Sequence, residues 1–277
     1  MWETRSRWML YASLLTAGFM MLQMAFFSLH MLFGIRISFN MFKLCIELFH
    51  SLRSPLVFYL IHAIVLYTLA ACLWVISRQL FVSVRSTRRL NRQLDTARTQ
   101  FYSRKYLLQE HELMIIHNVV PIALTLGIIR PRIILSTALL ELLEEDELQA
   151  VLEHERFHLK HRDPLAIFLL SMLAISMWYI PLYRWVLDKY KIIIEIMADQ
   201  FALSRIHHVT DLGGALIKML KQGQAPHTSV SYASFAETSI NVRILHILEP
   251  QTKLSLRMPF LRTVISILAL LILVTFT

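Results

Sequence analysis

Two long uncharged runs near the start of the chain predict helices that cross a membrane. Residues 8–35 and 54–77 contain no Lys, Arg, Asp or Glu, and a membrane-spanning helix needs about 20 apolar residues. We therefore predict an N-terminal membrane region, residues 1–77, with transmembrane helices at about 8–32 and 55–77. A cleavable signal peptide explains the first run less well, because the run is too long and lacks a small-residue cleavage site.

Basic residues predict how these helices are oriented. Arg and Lys are concentrated in residues 78–105, whereas the connector 36–53 has far fewer of them. Under the positive-inside rule, the N-terminus and the chain after Arg78 face the cytoplasm, and the connector faces outward. The basic stretch is expected to be a helix leaving the membrane, with its charges near anionic headgroups. The apolar residues of the connector recur with helical spacing, which indicates an interfacial helix.

The chain ends with another apolar run, residues 259–277, which is uncharged except for Arg262. Its uncharged part reaches only about 22 Å at 1.5 Å per residue, which is short for a comfortable span. We nevertheless predict a third transmembrane helix there. Residues 78–258, between the two membrane regions, are predicted to form a cytoplasmic domain.

A metal-binding motif lies within that domain. His154 and His158 are four residues apart, so both imidazoles lie on one face of a helix and can reach the same ion. Glu155 follows the first His, and HExxH is the arrangement in which two His bind zinc and the Glu acts as general base. Acidic residues before the motif and basic residues after it match the two ends of a helix. The alternative is two buried or solvated His that match by accident.

A catalytic zinc usually has three protein ligands, and Glu195 is the candidate for the third. It lies in the apolar run 191–199, where a buried free carboxylate would be costly without a partner such as a metal ion. Asp199, one turn later, could accept the second ring N–H of a ligand His and fix its tautomer. The alternative is an ordinary acidic pair on a solvated helix face. Nitrogen and oxygen ligands suit Zn²⁺ but do not exclude cobalt or manganese.

Apolar segments before the motif predict a small sheet. Residues 113–119, 122–126 and 133–135 are short and separated by Pro and Gly, as is typical of strands and turns. In zinc peptidases generally, a strand just upstream of HExxH is the edge that pairs with an extended substrate. We therefore expect this of the third strand. The alternative is a sheet that only supports the helix.

The HExxH motif, the later ExxxD pattern of Glu195 and Asp199, and the segment GIIRPRIIL at 127–135 together resemble the M56 peptidase family. Its members include membrane-bound antirepressors of the BlaR1 and MecR1 type. The resemblance covers roughly residues 100–250, and a more distant likeness is to HtpX-type membrane proteases. It implies a mainly α membrane protein. Transmembrane helices would accompany a cytoplasmic α+β zinc metallopeptidase domain with a small sheet beside the HExxH helix.

One apolar run conflicts with the proposed metal site. Residues 164–183 are uncharged, and hydropathy alone predicts another crossing. A single crossing would put Glu195 and His158 on opposite sides of the membrane, where they could not share an ion. We therefore expect either a buried domain helix or a re-entrant pair broken at Pro181.

The expected reaction is peptide hydrolysis, in which a further donor stabilises the developing oxyanion. The basic side chains that could supply it lie after the metal motifs, and the sequence does not choose among Arg205, His207, His208 and Arg243. Arg243 resembles an Arg that recurs in the family's closing helix, and the alternative role for it is pairing with a carboxylate. Some relatives cut themselves between the metal motifs and the last span, and the Ser234-Phe235 bond lies in that interval.

The resemblance implies a regulatory protease that inactivates a cytoplasmic transcriptional repressor by cleavage. The expected partners are a protein or peptide substrate, such as a BlaI/MecI-like repressor, and the lipid bilayer, with a homodimer left open. The expected location is the bacterial cell membrane, as a multi-pass protein with its catalytic domain in the cytoplasm. The alternatives are an HtpX-like quality-control protease and a non-catalytic zinc-containing membrane receptor.

Composition excludes several other classes. The chain has 277 residues, 56% of them hydrophobic, with 6 Gly and 8 Pro, which argues against an all-β or disordered protein. Its 2 cysteines, Cys45 and Cys72, predict neither a metal cluster nor a disulfide framework. The net charge of +9 comes from basic residues beside apolar segments, so we expect no direct nucleic-acid binding. Family transducers carry an outer penicillin-sensing domain after their last span, and this sequence ends at Thr277, so direct β-lactam sensing is not expected.

Overall fold

The computed structural model describes residues 2–33, 55–206, 208–222, 242–247, 249 and 258–275, and most of them are helical. The helices are α1 (Trp2–Phe33), α2 (Pro55–Arg92), α3 (Thr96–Lys105), α4 (Thr137–Leu142), α5 (Glu145–His161), α6 (Asp163–Ser176), α7 (Pro181–Leu203), α8 (Val209–Gln222) and α9 (Phe260–Thr275). The strands are β1 (Leu113–Ile116), β2 (Ala123–Leu126) and β3 (Arg132–Ser136). Residues 242–247 form a short helical segment. The predicted connector helix at 36–53 lies outside the described residues.

Two helices are long and apolar enough to span a membrane, by length and composition. They contain the candidate spans Ser6–Leu29 and His62–Arg92, which overlap the predicted helices at 8–32 and 55–77. The second helix, α2, continues without a break to Arg92, so the basic stretch begins on the same helix as the apolar run. The apolar helix Phe260–Leu271 is shorter, and a third span at 259–277 stays a prediction.

The three strands form a small mixed sheet in the order β1-β3-β2. β3 pairs with β1 in parallel and with β2 in antiparallel register, so both of its edges are occupied. The expectation that the third strand is a free edge for substrate is therefore wrong. The strand order depends on a parallel pairing that local sequence cannot reveal, and the open edge beside α5 belongs to β2.

The turn between β2 and β3 requires glycine at position 127. Gly127 has a φ of +115°, and a Cβ on it would lie 2.6 Å from the carbonyl oxygen of Arg130. Side chains are both strained and obstructed at such a position. This turn joins the edge strand β2 to the central strand of the sheet.

The apolar run after α5 folds as two helices rather than one. α6 ends at Ser176, and α7 begins at Pro181, whose missing N–H suits the first turn of a helix. The reversal packs against both candidate spans: Leu173 and Met177 lie in one core cluster with Ala17 of α1 and Val65 of α2. Because the chain turns back here, α7 returns beside α5 and brings Glu195 to the same end of the molecule as His154.

Hydrogen bonds also join this reversal to both spans. The Tyr179 hydroxyl lies 3.1 Å from Thr68 Oγ1 on α2, and the Tyr183 hydroxyl lies 3.3 Å from Thr16 Oγ1 on α1. Hydrogen bonds between helices hold their register where the surroundings are apolar. The start of α7 is therefore fixed against α1 and α2.

The sheet packs against α5 and holds it in place. Leu113, Ile115, Ile133 and Leu135 share one buried cluster with Leu139, Leu148, Val151 and Leu152. At the start of α5, a capping box joins Glu144 and Glu147, which satisfies backbone N–H groups that would otherwise be unpaired. The helix ends at His161, and the capping residue after it, Arg162, has a left-handed backbone with a φ of 53°.

Candidate metal centre

The two His of the HExxH motif face each other on α5. His154 and His158 are 6% and 8% exposed, and their Nε2 atoms lie 3.1 Å apart. Positions four apart on a helix are neighbours on one face, so the sequence spacing alone brings these two rings together. Neighbouring Nε2 atoms of two buried rings form the first half of a chelating site.

Glu195 on α7 completes a set of three potential ligand atoms. Its carboxylate oxygens lie 3.4 Å from His154 Nε2 and 3.7 Å from His158 Nε2, and all three groups offer an atom within 4.8 Å of one another. A tetrahedral zinc with bonds of about 2.0–2.1 Å holds its ligand atoms about 3.3 Å apart. The spacing and the N, N, O donor set therefore fit Zn²⁺.

Each ligand His is also held through its other ring nitrogen. His154 Nδ1 lies 2.9 Å from Asp199 Oδ1, and His158 Nδ1 lies 2.7 Å from Asp163 Oδ2. When Nδ1–H donates to a carboxylate, the Nε2 lone pair is directed to the metal. Asp199 thus lies where the ExxxD spacing placed it. The sequence analysis does not identify Asp163, because its contact with His158 depends on the backbone turn at Arg162.

Arg243 reaches this site from the segment 242–247. Its Nε donates to Asp199 Oδ2 at 2.8 Å and its Nη2 donates to Asp199 Oδ1 at 2.7 Å, a bidentate pair of the kind that fixes geometry as well as charge. Its Nη1 lies 3.1 Å from Glu195 Oε2. The guanidinium therefore bridges the third candidate ligand and the carboxylate behind the first His.

Opposite charges set the ionisation of this cluster. Burial and the Arg243 cation disfavour a charged His154, but hydrogen bonds with Asp199 and Glu195 outweigh them and raise the pKa of His154 to about 9. Burial alone would raise the pKa values of Glu195 and Asp199, yet hydrogen bonding to His154 and the charge of Arg243 lower both. The two carboxylates therefore stay ionised, as metal binding and its support require.

Glu155 lies on the same helix, beside the edge strand. Thr125 Oγ1 of β2 lies 2.8 Å from Glu155 Oε2 and 3.0 Å from the Glu155 carbonyl oxygen. Thr125 can thus orient the Glu155 side chain, and one carboxylate oxygen remains for a reacting group. No pattern in the sequence indicates this contact, because it links residues thirty positions apart.

A cavity of about 330 Å³ opens over these residues. Glu155, His154, His158 and Glu195 line it together with residues 123–125 of β2. Much of the remaining wall is apolar and comes from Val151, Ile167, Leu212, Leu216 and Met219. A cleft with apolar walls and a few convergent polar groups is the usual form of a substrate site.

Two of the other basic candidates, Arg205 and His208, do not reach the cavity. Arg205 lies over the ring of Phe201, with its guanidinium carbon 4.3 Å from the ring centroid, and 3.5 Å from Glu153. His208 is exposed, and neither residue lines the cavity. His207 and the Ser234-Phe235 bond lie outside the described residues. Of the four basic side chains, the structure brings only Arg243 to the site among those it describes.

Comparison with known proteins points to one family. The family model described as "BlaR1 peptidase M56" matches residues 51–247, a stretch that contains every residue of the cluster above. The chain is also similar to the protein described as "Regulatory protein BlaR1" from Bacillus licheniformis, with 28% identity over 158 residues. That alignment covers 55% of this chain and 26% of the relative, so the match spans about a quarter of the relative's length.

Proposed function

Because the chain belongs to the M56 peptidase family, we propose that it is a membrane-bound, zinc-dependent endopeptidase whose site works at the inner face of the membrane. The observation that carries the proposal is the convergence of His154, His158 and Glu195, with a separate carboxylate behind each His. A merely structural cluster would not need Glu155 aimed into an open cavity beside them.

The residues of the chain have distinct tasks in this reaction. His154, His158 and Glu195 would hold Zn²⁺, which when bound supplies an activated water and polarises the scissile carbonyl. Glu155 accepts the proton of the attacking water on a carboxylate oxygen and passes it to the leaving amine. Thr125 orients that carboxylate from the other side. Breaking the C–N bond with the amine protonated then gives one new carboxyl and one new amino terminus.

Substrate backbone is proposed to pair with the open edge of β2. This strand lines the cavity on the side of Glu155, and its second edge has no strand partner in the described part of the chain. An extended peptide that adds to a sheet edge gains main-chain hydrogen bonds that do not depend on its sequence. Selectivity would then come from the apolar walls of the cavity, including Leu212 and Met219.

The family relationship supports a regulatory role, and we propose that the substrate is a cytoplasmic transcriptional repressor of the BlaI/MecI-like kind. The basic residues that end α2 support a catalytic domain on the cytoplasmic side, since Arg89 and Arg92 lie in its last turn. Cleavage would remove the repressor's ability to hold its operator.

The test is zinc content and cleavage by the purified full chain, compared with Glu155→Gln. We expect one zinc per chain in both proteins, and cleavage of a purified candidate repressor by the wild type alone, since loss of a general base costs about 10²–10⁴-fold. Glu141→Gln is the matched control, because Glu141 has a 73% exposed side chain on the adjacent helix α4. Equal cleavage by Glu155→Gln, or a protein that binds no zinc, would overturn the proposal.

Self-cleavage at the Ser234-Phe235 bond stays a prediction for a segment outside the described residues. Intact mass of wild type beside Glu155→Gln tests it. In the wild type alone, we expect one fragment that ends at Ser234 and a second that begins at Phe235. The same fragments in both proteins would assign the cut to another protease.

A further inference from the structure

A second and larger cavity lies on the membrane side of the catalytic cavity. Its volume is about 700 Å³, and its walls come from α2, α6 and the β2–β3 turn. The α2 wall is one helix face that runs from Ile76 to Asn91. Pro164 and Ile167 at the start of α6 line both cavities, so the two are neighbours across a thin wall.

Contacts between the spans show the depth of this cavity. Met21 on α1 touches Cys72 on α2, with their sulfur atoms 4.0 Å apart, and the rings of Phe27 and His62 lie 4.8 Å apart. Because α1 and α2 run in opposite directions, each step back along α1 from these pairs corresponds to one step forward along α2. Arg7, the last charged residue before the apolar run of α1, is then level with about residues 82–86 of α2. The upper half of the cavity is therefore level with the apolar part of α1, and its lower half lies beside the cytoplasmic end.

Polarity changes along the cavity in the same direction. Ile76 and Leu80 line the part of the α2 wall that lies within the apolar run, whereas Arg130 and Arg132 belong to the β2–β3 segment, whose residue Ile134 packs against Leu90 near the end of α2. Neither guanidinium makes an ion pair with any residue that the structure describes, and Arg130 is exposed. Unpaired guanidinium groups are suited to phosphate.

We propose that this cavity binds one anionic glycerophospholipid of the inner leaflet, with an acyl chain along α2 and its phosphate at Arg130 and Arg132. The length of the cavity matches the thickness of one leaflet. Its α2 wall, from Ile76 to Asn91, is about 22 Å long, and one leaflet with its headgroups is about half of 40–45 Å thick. The walls also favour lipid over peptide. An extended peptide here would face two helices whose backbone groups are already bonded internally, so only side chains such as Gln79 and Ser83 could pair with its N–H and C=O groups.

The bound lipid would touch the wall that the two cavities share. Ile167 presents one side to the acyl chain and the other to the catalytic cavity. The site is distinct from the zinc cluster, because none of its lining residues is a candidate metal ligand. Its test therefore does not depend on whether the chain is a peptidase.

The experiment uses the full chain in nanodiscs that contain a photoreactive phosphatidylglycerol with a diazirine on one acyl chain. After illumination, we expect labelled peptides from α2 residues 76–83 and α6 residues 167–171. In the double variant Arg130→Gln/Arg132→Gln, the amount of labelled peptide should be about tenfold lower than in the wild type, as expected for the loss of charge-assisted hydrogen bonds. The matched control is Arg85→Gln/Arg89→Gln, which removes the same charge from α2 positions that do not line the cavity.

A second variant tests the acyl-chain position without changing charge. Ser83→Trp would fill the cavity from its α2 wall and should abolish labelling of α6, while a thermal unfolding midpoint equal to that of the wild type shows that the fold is kept. Equal labelling in the two Arg double variants would overturn the proposal. So would equal labelling by phosphatidylcholine, or displacement of the label by an excess of an apolar substrate peptide, which would assign the cavity to substrate instead.

Discussion

Replacing Asp163 with Asn should weaken zinc binding by about tenfold while leaving the fold intact. Asp163 is 2% exposed, and its carboxylate lies 2.7 Å from His158 Nδ1. A hydrogen bond to a charged acceptor contributes about 1.5–3 kcal/mol, against about 0.5–1.5 kcal/mol for a neutral one. Asn can still accept from Nδ1–H, so the loss is about 1–1.5 kcal/mol, or roughly 5- to 12-fold in affinity. Measured losses for such supporting partners run from about 10- to 100-fold.

The assay is competition for zinc between the purified full chain and a chromogenic chelator at neutral pH. Asp146→Asn is the control, since Asp146 is an exposed carboxylate in the first turn of the same α5 helix. It removes the same charge but contacts no ligand His. Thermal unfolding of the metal-free proteins shows whether Asp163→Asn folds as the wild type does. Equal zinc affinities for the two variants would refute the argument that Asp163 supports the site through His158.

Three further outcomes are expected from the same cluster. Arg243→Gln leaves the buried Asp199 carboxylate without its bidentate partner, so the free energy of unfolding should fall by about 3 kcal/mol in denaturant titrations, and an unchanged midpoint would contradict this. Thr125→Val should lower kcat about fivefold with unchanged zinc content, because Glu155 loses a hydrogen bond worth about 1 kcal/mol; a loss of zinc instead would mean that Thr125 supports the fold. In the metal-free protein the pKa of His154 is raised to about 9, so protons compete with zinc below that pH, and zinc affinity should fall by up to about tenfold per unit between pH 8 and 6. A flat profile in the chelator assay over that range would show that His154 is already neutral.

Local periodicity accounts for the parts of the site that the sequence could predict. His154, Glu155 and His158 follow from positions on one helix, and the ExxxD spacing likewise puts Glu195 and Asp199 on one face of α7. The reversal before α7 is a different case. Hydropathy favours one long helix there, and only the requirement that Glu195 share an ion with the two His pointed to a break at Pro181.

Contacts that depend on backbone turns or on strand order could not be predicted. Asp163 reaches His158 because Arg162 adopts a left-handed backbone with a φ of 53°. This conformation is uncommon for a residue other than glycine, so the sequence does not predict it. The sequence pattern favours the third strand as the free sheet edge, whereas β1 and β3 pair in parallel across a long connection and leave β2 at the edge. Thr125 gained its contact with Glu155 from that same arrangement.

Because α7 is held at its first turn, a small tilt of the helix moves its far end by a larger distance. Tyr183 is held against α1, and Glu195 lies twelve residues further on, about 18 Å along a continuous helix. Tilting α7 by roughly 2° about its first turn would move the Glu195 carboxylate about 0.6 Å sideways. This displacement exceeds the roughly ±0.2 Å by which zinc–ligand distances vary. In the proposed metal centre, a small change in the angle between α7 and α1 would therefore be enough to make or break the bond between Glu195 and the ion.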